Sequence, residues 1–155
     1  MRRSWILAAY ALLYGLMINH IDVLTELHRT PGYHLWLAGM YLAPYIPPAL
    51  LRVLRPADTL AYAAVTSLVN DLLWGPYAVA LGRRIDLHEW YAYQFGEMEA
   101  AVWWSFDAGF AEIPVSSSLM AFSIFLRAYG LILYAAWKKW CAESAGGDGV
   151  DGKVA

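Results

Sequence analysis

Asp71 and Arg127 are the two residues whose chemistry fits their surroundings least. Asp71 follows Asn70 within SLVNDLLWG, residues 67–75 of a long apolar, alanine-rich segment, and Arg127 interrupts FSIFLRAYGLILY, residues 122–134. A charged side chain at mid-bilayer costs about 3 kcal/mol or more, so each needs a partner or a task. A carboxylate and a guanidinium answer both needs, because they neutralise each other through directed, charge-assisted hydrogen bonds. Asn70 points about 100° away from Asp71 around a helix and is expected to bind a neighbouring backbone. Tyr41, Tyr45, Trp74 and Tyr134 add rings with polar tips, the wall chemistry of a small-molecule pocket. Together these seven residues form an expected ligand-binding or proton-relay set. The structural alternative is that the pair only specifies helix packing.

A second group is Asn19-His20-Ile21-Asp22 with Glu26, His28, His34 and His88, residue types that suit zinc or another divalent ion. On a continuous helix Asp22 and Glu26 share a face, while His20 points roughly 120–160° away from them. Asp22 and Glu26 with His34 or His88 are therefore the better metal candidates. The zinc-protease pattern His-Glu-x-x-His is absent, and no cofactor follows from the sequence. Cys141 is the single cysteine, which leaves no internal disulfide and no thiolate metal site.

The elements that must position these groups are helices in a membrane. Of the 155 residues, 60% are hydrophobic and 15% charged, well outside the composition of an ordinary soluble domain. Residues 4–24, 33–53, 57–82 and 118–140 are each long enough to cross roughly 30 Å of hydrocarbon at about 1.5 Å per residue. The first is read as an uncleaved span running on towards Arg29. Pro44, Pro47 and Pro48 are expected to break the second, and Pro76 to free the carbonyl of Leu72 in the third. Arg2, Arg3, Arg52, Arg55, Lys138, Lys139 and Lys153 then fall on one side, against Arg29, Arg83 and Arg84 on the other. By the positive-inside rule both termini are cytoplasmic. The net charge of −2 and the absence of a basic stripe exclude a nucleic-acid partner.

Each span carries a stripe of small or polar residues at helical spacing, the expected bundle-facing side. These are Ala11, Gly15, Asn19, Asp22 and Glu26 in the first span and His34, Tyr41 and Tyr45 in the second. In the third they are Ala64, Ser67, Asp71, Gly75 and Ala78, and in the fourth Ser123, Arg127, Gly130, Tyr134 and Lys138. Asp71 and Arg127 both lie roughly 14–17 Å below the outer surface, so they can meet. Between spans three and four, Leu87, Tyr91, Phe95, Met98, Val102 and Phe106 recur every three or four residues. Residues 85–117 are therefore expected to be an outer amphipathic, interfacial helix, with a fifth span over about 86–110 as the rival reading. Residues 143–155 are read as a disordered cytoplasmic tail after a transmembrane domain of residues 1–142.

The expected fold is thus an all-α integral membrane protein, a four-helix transmembrane bundle with one interfacial helix. Leu73-Trp74-Gly75-Pro76 and Tyr129-Gly130 resemble fragments of the emopamil-binding sterol isomerase family. The likeness spans few residues at too long a separation and lacks that family's paired membrane glutamates, so no family is assigned. The leading function is a small multi-pass protein that binds a small polar or amphipathic ligand, or relays an ion or proton, in an outward-opening pocket. Four spans call for a homo-oligomer or a larger membrane complex, with membrane lipids as partners. The alternatives are a membrane-embedded lipid-modifying enzyme using the outer carboxylate/His group, and a non-catalytic accessory subunit.

Overall fold

A computed structural model describes residues 2–26, 32–94, 102–107 and 112–147. The chain is predominantly helical. In order come α1 (Arg2–Thr25), α2 (Tyr33–Leu42), a single 3-10 turn (Ala43–Tyr45), α3 (Ile46–Leu50), α4 (Pro56–Ala80), α5 (Leu87–Gln94), strands β1 (Val102–Asp107) and β2 (Glu112–Ser116), and α6 (Ser117–Gly147). By length and apolar composition two segments are able to cross a membrane, Trp5–Thr25 and Ser118–Ser144. At 25 residues α4 is as long, but it carries Asp58, Asn70 and Asp71.

The hydrogen bonds between helices give their directions. Moving up α1, Ala11 meets Thr66, Asn19 meets Asn70, His20 meets Tyr77 and Val23 meets Arg83, so α1 and α4 run parallel. From α2 to α3 the chain runs the opposite way, with Tyr33 at Asp22, Tyr41 at Asn70 and Tyr45 at Thr66. The last helix, α6, is also antiparallel to α4: Arg127 reaches Asp71, and Lys138 reaches Asp58. The result is an up-down-up-down bundle. One end holds the start of α1, the α3–α4 turn and the basic Lys138-Lys139 stretch; the other holds α5 and the hairpin.

Close approach of α1 to α4 depends on Gly15. A Cβ there would lie 2.8 Å from Val69 Cβ and 2.9 Å from the Thr66 carbonyl, both on α4. The interior mixes apolar and polar groups, Ile18, Val23, Leu37, Tyr45 and Ile124 among the apolar ones, and the outside is rich in large apolar side chains. Asn19, Asp22, Thr59, Thr66, Ser67 and Asn70 are buried, while Trp5, Leu13, Phe122, Phe125, Leu126 and Ile132 stand exposed.

One expectation is met and three are corrected here. The second span is broken at its prolines as expected: Pro44 and Pro47 open a 3-10 turn and α3, and the helix stops at Leu50, before Arg52 in a left-handed turn (φ 56°). The first helix ends at Thr25, with Glu26 also left-handed, and residues 27–30, His28 among them, lie outside the described residues. The fourth helix continues past residue 143 to Gly147, carried by helix formers and an i,i+4 Lys139–Glu143 pair, and stops at Gly146-Gly147. The rest of the expected tail, 148–155, lies outside the described residues.

The third correction concerns residues 85–117, which do not form one interfacial helix. Helix α4 ends at Ala80, and just beyond it Gly82 (φ 83°) and Arg83 donate to the carbonyls of Val79 and Ala78. After Asp86, whose carboxylate caps the amides of His88 and Glu89, α5 folds back along α4 for only eight residues. Trp90 seats where Gly75 lacks a side chain; a Cβ there would lie 2.7 Å from the indole. Beyond it, Val102–Asp107 pairs antiparallel with Glu112–Ser116, Phe106 opposite Ile113, with an irregularity between Val102 and Trp104. These aromatic and β-branched residues suit a hairpin as well as a helix, and the helical spacing ran across Gly96, which weakens any continuous helix. Phe95 and Met98 of that spacing lie outside the described residues.

Pro76 withholds the donor that would serve the Leu72 carbonyl, and the Tyr91 hydroxyl of α5 supplies it at 2.9 Å. Replacing Tyr91 with Phe removes only this hydroxyl and is expected to lower stability in detergent by about 1 kcal/mol. An unchanged melting temperature would show that the carbonyl is satisfied in another way.

Candidate functional site

Two adjacent faces of α4 organise the site. On one, Ser67 and Asp71 are a turn apart and face α6; on the other, Thr66 and Asn70 face α1 and α2. Arg127 Nη2 donates to Asp71 Oδ2 at 2.6 Å, its Nη1 to Ser67 Oγ at 2.7 Å, and its Nε to the Ser123 carbonyl of its own helix at 3.0 Å. The guanidinium is thus held flat across the α4–α6 contact. Exposure of the Arg127 side chain is 23% and of the Asp71 side chain 11%, so the pair is enclosed but reachable.

Behind the pair lies a neutral relay of amides. Asn70 Nδ2 donates to Asn19 Oδ1, Asn19 Nδ2 reaches the Val69 carbonyl at 3.5 Å, and the Tyr41 hydroxyl donates to Asn70 Oδ1 at 2.6 Å. Asn70 therefore binds side chains from α1 and α2, where the sequence reading expected a backbone partner. Towards the hairpin end, the Tyr33 hydroxyl donates to Asp22 Oδ2 at 2.6 Å, its ring edge-on to His34. Tyr33, His34 and Tyr41 all sit within electrostatic reach of Asp71.

The remaining expected residues are dispersed. Tyr45 is buried nearer the other end, hydrogen-bonded to Thr66 Oγ1 at 2.7 Å and packed between Tyr10 and Tyr62. Tyr134 joins Lys138 on Asp58 Oδ1, at 2.7 and 2.8 Å, which places it at the terminal end of the bundle. Trp74 stacks on Trp90 of α5, with ring centroids 6.2 Å apart. A groove of about 490 Å³ lies elsewhere, between α1 and α2, lined mainly by apolar groups of Leu35, Trp36, Gly39 and Met40.

Comparison with protein-family models, curated proteins and solved structures returned no match. The site must therefore be read from its own geometry.

The metal candidates are not brought together: among the described residues no three His, Cys, Asp or Glu side chains are placed to share an ion. Asp22 is held by Tyr33, Glu26 lies 3.5 Å from Arg83, and His88 is exposed next to Asp86. His20 instead meets the Tyr77 hydroxyl at 3.0 Å. The sequence reading missed the roles of Tyr33, Ser123 and Arg83. Arg83 also donates to the Val23 carbonyl at 2.8 Å, serving the open end of α1. Asn19 and Ser67 were visible as members of polar stripes, but nothing in the sequence marked Tyr33 as the partner of Asp22.

Proposed function

We propose that this chain is a four-pass membrane protein whose cluster around Asp71 and Arg127 binds a small polar or amphipathic ligand, the same groups being suited to passing a proton. The observation that carries the reading is a partly accessible ion pair set beside buried hydroxyls and amides. Asn19, Thr66, Ser67 and Asn70 are buried beside the pair, large apolar side chains cover much of the outside, and the pair keeps part of its surface accessible. Groups used only as packing glue are commonly sealed; a site needs an accessible side. The up-down-up-down arrangement also gathers the basic ends of the chain on one side, in keeping with cytoplasmic termini.

The test is an inventory by mass spectrometry of molecules that copurify from native membranes. One present at near-stoichiometric level with the wild type is expected to be lost from an Asp71→Asn/Arg127→Gln double variant. Identical inventories would remove the ligand reading. The topology is tested separately: in a Cys141→Ser background, cysteines at the exposed positions Glu89 and Glu143 are expected to react with an impermeant thiol reagent from opposite sides of the membrane. Reaction from one side alone would exclude it.

A second reading, an accessory subunit in a larger complex or oligomer, draws on one observation. Along α6, Phe122, Phe125, Leu126, Ile132 and Leu133 face outward from the described bundle. Stable isolation only together with other polypeptides would favour it. The enzyme reading finds less support, since Asp22 and Glu26, its proposed base or metal ligands, are each engaged by Tyr33 and Arg83.

A further inference from the structure

The ion pair is closed along the bundle axis. Gly75 lies one turn beyond Asp71 on the same face of α4, and the Trp90 indole fills the space over it, stacked on Trp74. The Tyr91 hydroxyl fastens this roof to the Leu72 carbonyl, and α5 packs on both α4 and α6. Behind the pair, α1 packs along α4. On the remaining side, α2 brings Tyr41 and His34 to the Asp71 region, and α2 and α6 are at most sparsely in contact.

Charge limits what the pair can take. Asp71 and Arg127 sum to zero, and a charged headgroup that displaced either partner would strand the other in apolar surroundings. Among the described residues three of the five guanidinium N–H groups are used, so donors remain beside a carboxylate that accepts. A group that both donates and accepts while carrying no charge satisfies both sides, and a hydroxyl is the simplest. We infer that the site takes an uncharged, hydroxyl-bearing amphiphile that slides in sideways from the bilayer, its hydroxyl on the Asp71–Arg127 pair and its chain between α2 and α6. This rests on the ligand reading above and adds the ligand class and the route.

The test uses purified full-length protein in detergent and three matched photoprobes, dodecanol, dodecanoate and dodecylamine, each with a mid-chain diazirine. Dodecanol is expected to label saturably, to be displaced by unlabelled dodecanol, and to mark peptides of α2 and α6. Labelling should fall roughly tenfold in the Asp71→Asn/Arg127→Gln double variant, while the charged probes label without saturation. Displacement by the charged amphiphiles as effective as by dodecanol, unchanged labelling of the double variant, or labels concentrated on α5 would each overturn the inference. If dodecanol fails to saturate but another copurifying molecule depends on the pair, the ligand reading survives and the amphiphile inference falls. If nothing depends on the pair, both fall.

Discussion

Asp71→Asn and Arg127→Gln are each expected to cost about 3–5 kcal/mol of stability, because either change leaves a buried, uncompensated charge. Arg127 loses its 2.6 Å partner in the first variant, and Asp71 in the second. The double variant removes both charges and is expected to recover part of the combined loss, the non-additivity of groups in direct contact. Thermal unfolding in detergent, followed by near-ultraviolet circular dichroism on the many tryptophans, gives the three values. Strictly additive losses would show that the pair contributes no coupling. Arg127→Lys is expected to rescue little, since an ammonium cannot span Asp71, Ser67 and the Ser123 carbonyl at once as the planar guanidinium does.

The second large effect is expected at Gly15. A leucine there must enter space already held by Val69 and the Thr66 carbonyl, and since the carbonyl is backbone, the two helices have to separate. The expected loss is about 3 kcal/mol, the upper part of the range for overpacked interiors, and separation also breaks the Asn19–Asn70 and Thr66–Ala11 bonds. Gly39→Leu and Gly130→Leu are the controls. Neither position has a heavy atom within 4 Å, so both are expected to stay within about 0.5 kcal/mol of wild type. A Gly15 variant as stable as these would show that the α1–α4 contact is loose. Gly130 is also a correction, for its place on the Arg127 stripe predicted a bundle-facing position and the structure leaves it exposed.

Helical spacing made the interior faces of α1 and α4 legible, because a stripe of small and polar residues in an apolar helix has few other uses. Ala11, Gly15, Asn19 and Asp22 are buried as that spacing requires, and so are Ser67, Gly75 and Ala78. Depth counting from the segment ends was enough to set Asp71 against Arg127. Contacts between helices that adjoin neither stripe were not legible. Tyr33 and Tyr91 find Asp22 and Leu72 only through turns whose geometry the residue pattern does not specify. The hairpin was missed for a related reason. Val, Trp and Phe are equally at home in a strand and on an amphipathic helix, so a period of three or four across a few positions does not separate the two.

The parallel pairing of α1 with α4 has a consequence for biogenesis. Ala11, Gly15 and Asn19 find their partners Thr66, Val69 and Asn70 only after α2, α3 and most of α4 have been synthesised. With α1 inserted in a bilayer, as proposed, an amide at Asn19 and a carboxyl at Asp22 would until then lack their final contacts, and such groups attract other helices and the quality-control machinery that recognises them. Tyr33 arrives first and can take Asp22, which leaves Asn19 as the group exposed longest. A chain truncated in the α3–α4 turn is expected to be degraded faster than one extended through Asn70, and Asn19→Leu is expected to slow degradation of the truncated chain while weakening the complete one.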